Sequence, residues 1–194
     1  ITAALASFTA VPGRLERVPD LLDRHVFVDY AHTPDALANV LSTLKEIMTG
    51  RLICIFGCGG DRDRTKRPLM GAVAARFSDL VIVTSDNPRT EAPEGIIADI
   101  LAGIGREMTR EYRQEEIEHG FSDPGFMVEP DRAAAIVSGI RAARAGDTVL
   151  IAGKGHEPYQ ILGDRVIPFD DRKQAAAALA RRNAYCVCPR GDEE

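Results

Sequence analysis

The sequence predicts an α/β protein, a Rossmann-like three-layer α/β/α sandwich with a mostly parallel sheet. Three observations carry that expectation. Apolar runs of strand length recur along the chain and are nearly continuous rather than alternating, as in strands covered on both faces. Segments of helical period separate them, so strands and helices alternate. Glycine, arginine and histidine gather in the turns that directly follow the strands.

Taken in order, residues 1–12 are small and apolar without a clear period, and 13–18 alternate briefly. Residues 26–30 read as a strand that carries Asp29 at its end. Pro34 suits the first turn of a helix with Thr33 as its cap, and Leu37, Val40, Leu41, Leu44 and Met48 recur at helical spacing. The plan then repeats, with a strand over 52–56, a glycine-rich loop over 57–64 and a helix over 67–77. A third strand, 80–84, ends in the polar, proline-stiffened turn Ser85-Asp86-Asn87-Pro88-Arg89, and a helix follows over 93–104. Residues 106–123 are charged and irregular and read as a solvated helix and loop. A short strand at 126–128, a helix over 131–143 and a buried strand at 147–151 come next. A hairpin around Gly163-Asp164, an alanine-rich helix over 172–182 and an aperiodic tail over 183–194 complete the chain.

At 194 residues the chain is long enough for one well-buried domain and too short for two large ones. No apolar run approaches the ~20 residues of a membrane span, and no signal-peptide pattern opens the chain. A formal charge of −5 argues against nucleic acid as a partner. Cys54 and Cys58, and Cys186 and Cys188, have no histidine at a zinc-site spacing, so they read as reduced thiols of a cytoplasmic protein with no metal site. The chain begins at Ile1 rather than Met, which reads as a fragment or a processed product.

Four clusters follow strands directly: Asp29 with His32, residues 57–64, residues 86–89 and residues 153–157. In an open parallel sheet these carboxyl ends share one edge, where ligands bind. Arg62 and Arg89 offer paired N–H donors to carboxylates, and Glu157 accepts from an ammonium, a mixture that suits a zwitterionic ligand. Each piece also has a plain reading. Gly57-Cys58-Gly59-Gly60 is a tight turn and lacks the Gly-Lys-Ser/Thr of a Walker loop. His32 reads equally as a structural residue at a helix start, and Lys154 between two glycines as a solvated turn. Asp170 and Asp171 read as helix caps.

Five segments in order resemble the C-terminal domain of the Mur ligases: Gly13-Arg14-Leu15-Glu16, Val28-Asp29-Tyr30-Ala31-His32-Thr33-Pro34, residues 56–62 with Lys66-Arg67-Pro68, Asp86-Asn87-Pro88-Arg89, and Ala152-Gly153-Lys154-Gly155-His156-Glu157. The nearest likeness is to the MurE type, which adds the third residue to UDP-N-acetylmuramoyl-L-alanyl-D-glutamate in peptidoglycan synthesis. The resemblance implies that residues 13–182 form the amino-acid-binding domain and that 1–12 end a central ATPase domain absent from these residues. It implies that Asp86, Asn87, Pro88 and Arg89, with Arg62, Gly153 and Glu157, meet meso-diaminopimelate. Arg14, Asp29 and His32 are implied to face ATP, with His32 near the terminal phosphate or acyl phosphate. Mg2+ and most of the ATP contacts are implied to belong to the central domain, and the UDP-linked dipeptide to the missing domains. The isolated chain is then expected to be inactive. The competing expectation is a standalone module that binds diaminopimelate or a nucleotide without chemistry. A dehydrogenase or kinase domain lacks its fingerprints here.

Overall fold

The structure, a computed structural model, describes residues 11–118 and 120–187. A six-stranded sheet is built from β1 (Glu16–Val18), β2 (His25–Asp29), β3 (Leu52–Phe56), β4 (Leu80–Val83), β5 (Gly125–Val128) and β6 (Thr148–Ala152). Its spatial order is β1-β2-β6-β3-β4-β5. Only the short edge strand β1 runs antiparallel, with Arg17 opposite Phe27. The remaining pairs are parallel. Among the described residues six helices accompany them: α1 (Pro34–Ile47), α2 (Lys66–Phe77), α3 (Pro93–Ile104), α4 (Gln114–Glu118), α5 (Arg132–Ala142) and α6 (Asp171–Val187). A separate hairpin pairs β7 (Tyr159–Leu162) with β8 (Arg165–Pro168).

The continuous apolar runs are explained by two cores, one on each face of the sheet. Within β3, Ile53 and Ile55 enter the core shared with α5 and α6, while Leu52, Cys54 and Phe56 enter the one shared with α1, α2 and α3. Every residue of β3, β4 and β6 is buried. A strand with two buried faces favours apolar residues at nearly every position, the buried Thr148 at the start of β6 being polar, and each fully buried Ile or Leu contributes about 1.5–3 kcal/mol.

Local chemistry sets the helix starts as expected. Thr33 accepts from the Ala36 N–H at 3.3 Å with Pro34 in the first turn of α1. Asp131 caps α5 through the Ala134 N–H at 2.9 Å.

Three expectations change. The segment 106–123 is not simply solvated: Met108, Tyr112, Ile117 and Phe121 are buried, and they pin a charged stretch to the core. Residues 183–187, expected in the tail, continue α6; the rest of the expected tail, and residues 1–10 of the expected hinge, lie outside the described residues. Asp170 does accept from the Arg172 N–H at the start of α6, but Asp171 is buried in an ion pair with Arg132. No helix among the described residues is long and apolar enough to cross a membrane.

Candidate functional site

The strand order assembles the site. Because β6 inserts between β2 and β3, Asp29 pairs with Ala152, and the Gly153 N–H donates to the Asp29 carbonyl at 3.0 Å. The turns after β2, β6, β3 and β4 therefore stand side by side. They enclose a pocket of about 510 Å3 whose lining includes Tyr30, His32, Arg62, Lys66, Asp86, Asn87, Arg89, Gly153, Glu157 and Tyr159. Among the expected residues, His32, Arg62, Asp86, Asn87, Arg89, Gly153 and Glu157 are thus brought together.

Three expected residues do not line it. Pro88 is buried behind the turn, where its carbonyl accepts from the Glu91 N–H at 3.1 Å. Asp29 is buried, and its two carboxylate oxygens accept from the Leu15 and Ala31 N–H groups at 2.7 and 2.8 Å. Those bonds hold the first turn against the end of β2. Arg14 is exposed and lies over the Tyr30 ring, 4.7 Å from its centroid.

The turns after β3 and β4 are zipped into one clamp. The Gly60 N–H donates to the Asn87 carbonyl at 2.9 Å, and Arg89 Nη1 donates to the Gly60 carbonyl at 2.8 Å. Asp61 accepts from Thr90 Oγ1 at 2.7 Å, and its own N–H donates to Glu91 Oε1 at 2.6 Å. A Cβ on Gly60 would sit 1.8 Å from the Pro88 carbonyl oxygen, so only glycine allows the turns to approach this closely. Arg89 itself holds a φ of 52°, a left-handed value that costs a non-glycine residue on the order of 1 kcal/mol. Its anchored Nη1 leaves Nε and Nη2 without a bond to another described residue.

Arg67 closes the clamp from below. Fully buried, it donates to both Glu91 oxygens at 2.8 and 2.9 Å, to Asp99 at 2.9 Å and to the Gly59 carbonyl at 3.2 Å. Hydrogen bonds from Arg67 lower the Glu91 pKa to about 2. An unfolded Glu91 titrates near 4.5, so as pH falls from there to about 2 the unfolded chain takes up a proton that the folded chain refuses. This contribution to stability is present above pH 4.5 and gone below about 2. In urea melts across that range, Glu91→Gln is expected to flatten the acid-side loss of stability; an unchanged slope would remove the Arg67–Glu91 pair as its source.

The hairpin β7–β8 fastens the Asp86–Arg89 turn from above. Gln160 Nε2 donates to the Asp86 carbonyl at 2.7 Å, the Ile161 N–H to Asn87 Oδ1 at 3.0 Å, and the Arg89 N–H to the Ile161 carbonyl at 3.2 Å. Sequence reading missed Gln160 and Tyr159, because nothing in a short hairpin reveals which turn it will lie on. Lys154, named within the cluster 153–157 with a solvated turn as its plain reading, is buried.

Charge is divided across the pocket. The floor holds Asp86, Lys154 and Glu157, and behind them Arg132 meets Asp171 in a bidentate pair at 2.7 and 2.8 Å. Burial pushes the Asp86 carboxyl up from its ordinary range, against the pull of the Arg132 and Lys154 charges. Arg62, Lys66, Arg89 and His32 stand around the opening, and Lys66 Nζ donates to the His32 carbonyl at 2.7 Å. His32 Nδ1 lies 2.8 Å from the Tyr30 carbonyl, which only accepts, so Nδ1 is the donor in that bond and Nε2 is left for a ligand of the pocket. The arrangement can hold a small ligand by carboxylate and ammonium together, with further anionic groups along the basic rim.

A parallel sheet with a polar, two-signed pocket at its carboxyl edge defines a Rossmann-like ligand-binding domain. Residues 13–155 match the family described as "Mur ligase, glutamate ligase domain". The chain belongs to the Mur ligase family, as its C-terminal domain. It is 59% identical over 169 residues to the UDP-N-acetylmuramoyl-L-alanyl-D-glutamate--2,6-diaminopimelate ligase of Geobacter metallireducens, covering 87% of this chain and 33% of the relative. The protein of the same name from Synechococcus elongatus is 55% identical over 183 residues, covering 94% of this chain and 34% of that one. A solved structure of a UDP-N-acetylmuramoyl-L-alanyl-D-glutamate--2,6-diaminopimelate ligase matches with a TM-score of 0.76 at 43% identity, covering 91% of this chain and 33% of that one. The chain spans about a third of the length of the curated relatives it matches.

Proposed function

We propose that this chain is the amino-acid-binding domain of a cytoplasmic, ATP-dependent ligase that joins meso-diaminopimelate to UDP-N-acetylmuramoyl-L-alanyl-D-glutamate in peptidoglycan synthesis. The observation that carries the reading is the two-signed pocket, in which the anchored Arg89 fork and the Glu157 carboxylate line one cavity. The names and identities of the relatives support it.

Diaminopimelate differs from lysine by one carboxylate on its distal carbon, and a second cationic fork is what that group requires. Arg89, held at Nη1, offers Nε and Nη2 to it, while Glu157 and Asp86 accept from the adjacent ammonium and Arg62 reaches in from the rim. Lysine would leave Arg89 without its anion, and a desolvated cation without a partner costs several kcal/mol. The amine that attacks is thereby oriented, which is the main catalytic effect this domain supplies.

ATP supplies the phosphoryl group that activates the acceptor carboxylate. The rim residues fit such a polyanion: His32, Lys66 and Arg62 line the mouth of the pocket, and Arg14 stands on Tyr30 beside it. Asp29 serves that region indirectly, by fixing the turn that carries Tyr30 and His32. Mg2+, most of the ATP contacts and the UDP-linked dipeptide are assigned to the rest of the ligase, since this chain spans about a third of the length of its relatives.

The test compares the complete ligase containing this chain with the 194-residue chain alone, measuring ADP and amide formation. The complete ligase is expected to use meso-diaminopimelate in preference to L-lysine, and the isolated chain to form neither product. Equal use of lysine would overturn the specificity, and turnover by the isolated chain would overturn the division of labour. Calorimetry on the isolated chain is expected to give millimolar or no binding of meso-diaminopimelate, whereas tight binding would favour a standalone binding module.

A further inference from the structure

We propose that Lys154 is a positioning residue: its buried ammonium fixes the orientation of the Asn87 amide and of the Glu157 carboxylate on the floor of the pocket. This rests on the site described above and names the group that organises its ammonium-binding half.

The placement of Lys154 is unusual for a lysine between two glycines. Its side chain is fully buried, and the backbone on either side turns through left-handed φ values of 113° at Gly153 and 53° at Gly155. That reversal sends Lys154 inward and returns Glu157 to the pocket three residues later. Burying an ammonium is costly unless acceptors surround it. Nζ finds Asn87 Oδ1 at 3.1 Å, Glu157 Oε2 at 3.3 Å and Asp86 Oδ1 at 3.5 Å, with the Tyr159 ring centroid at 5.6 Å.

The hydrogen-bond roles then follow by elimination. An ammonium and a backbone N–H are donors only. Lys154 and the Ile161 N–H both donate to Asn87 Oδ1, so that oxygen is filled and the amide cannot be flipped. Its Nδ2 is held on the side where it donates to Glu157 Oε2 at 3.0 Å. Glu157 Oε2 receives Asn87 and Lys154 together, leaving Oε1 as the oxygen with no bond to another described residue. One amide hydrogen of Asn87 and one oxygen of Glu157 are therefore left for a ligand, as a donor for a carboxylate and an acceptor for an ammonium. Without Lys154, Asp86 and Glu157 would lose the cation that both of them contact. Among the other charged groups near them, Arg132 is paired with Asp171 at the starts of α5 and α6 while acting on Asp86, and Arg62, Lys66 and Arg89 line the same pocket.

The test uses the 15N-labelled 194-residue chain. The Asn87 side-chain amide is expected to exchange slowly with water, and a slowly exchanging Lys154 ammonium signal to be visible. In Lys154→Met the Asn87 amide should exchange at least about tenfold faster, while the backbone amides of β3, β4 and β6 stay in place. An unchanged Asn87 amide in a folded Lys154→Met chain overturns the proposal. If that variant does not fold, the wild-type signal decides: a Lys154 ammonium exchanging as fast as surface lysines overturns it, and a protected one upholds it. Titration with meso-diaminopimelate separates this from the functional reading. Where the wild type binds, Lys154→Met should weaken binding about tenfold or more. A wild-type chain that shows no shifts, as expected of the isolated domain, upholds Lys154 when the Asn87 change is seen, and the diaminopimelate reading is decided separately by the preference of the complete ligase for diaminopimelate over lysine.

Discussion

Arg89→Ala in the complete ligase is expected to lower kcat/KM for meso-diaminopimelate by between about 30-fold and a few thousand-fold, from the roughly 2–5 kcal/mol lost when one partner of a buried charge pair is truncated. Activity with L-lysine should change far less, because lysine has no distal carboxylate to lose, so the preference between the two collapses. The loss should fall on KM for the amino acid and leave KM for ATP in place, since Arg89 is anchored to the Gly60 and Asn87 carbonyls, on the clamp that faces Glu157. Arg89→Lys tests the fork separately from the charge: an ammonium cannot replace the Nη1 anchor to the Gly60 carbonyl and still offer two parallel donors. Retained preference for diaminopimelate in Arg89→Ala would mean that another group reads the distal carboxylate.

Arg132→Met is expected to destabilise the chain by about 3–5 kcal/mol, the cost of leaving a buried charge without its partner. Arg132 and Asp171 are both fully inaccessible, and the guanidinium also donates to the Ser85 and Ala152 carbonyls at 3.3 and 3.0 Å. It thereby joins the ends of β4 and β6 to the starts of α5 and α6. For a domain of this size the loss corresponds to a fall in Tm of roughly 6–20 °C. The double variant Arg132→Met/Asp171→Leu should recover part of it, because two apolar residues leave no orphaned charge. A Tm within a degree or two of wild type for the single variant would show that water reaches the pair. Loss of Arg132 also removes one of the two charges that oppose the upward shift of Asp86, so diaminopimelate binding should weaken even where the fold survives.

Much of this molecule was readable in advance. Continuous apolar runs at 52–56, 80–84 and 147–151 announced strands with two buried faces, and Thr33 and Pro34 marked a helix start that the structure keeps. The gathering of His32, Arg62, Asp86, Asn87, Arg89, Gly153 and Glu157 in one pocket was also legible, because the carboxyl ends of parallel strands must share an edge. The misreadings have a common form. The plain reading of Lys154 was a solvated turn, and it is buried; Asp171 read as a cap and is buried in a pair with Arg132; residues 106–123 looked solvated and are pinned by Met108, Tyr112, Ile117 and Phe121. In each case the residue type fixes what a side chain can bond to, while its neighbours decide what it does bond to.

The sequence by itself determined the α/β class, the strands and helices, and which turns carry charged residues, because hydrophobic period and turn chemistry are local properties of the chain. Only the tertiary structure decided that β6 lies between β2 and β3, that the hairpin of β7 and β8 lies on the Asp86–Arg89 turn, and that Arg67, Lys154 and Arg132 are interior. Those outcomes depend on contacts between segments distant in sequence, where the cost of burying a charge is settled by acceptors that neighbouring residues do not supply.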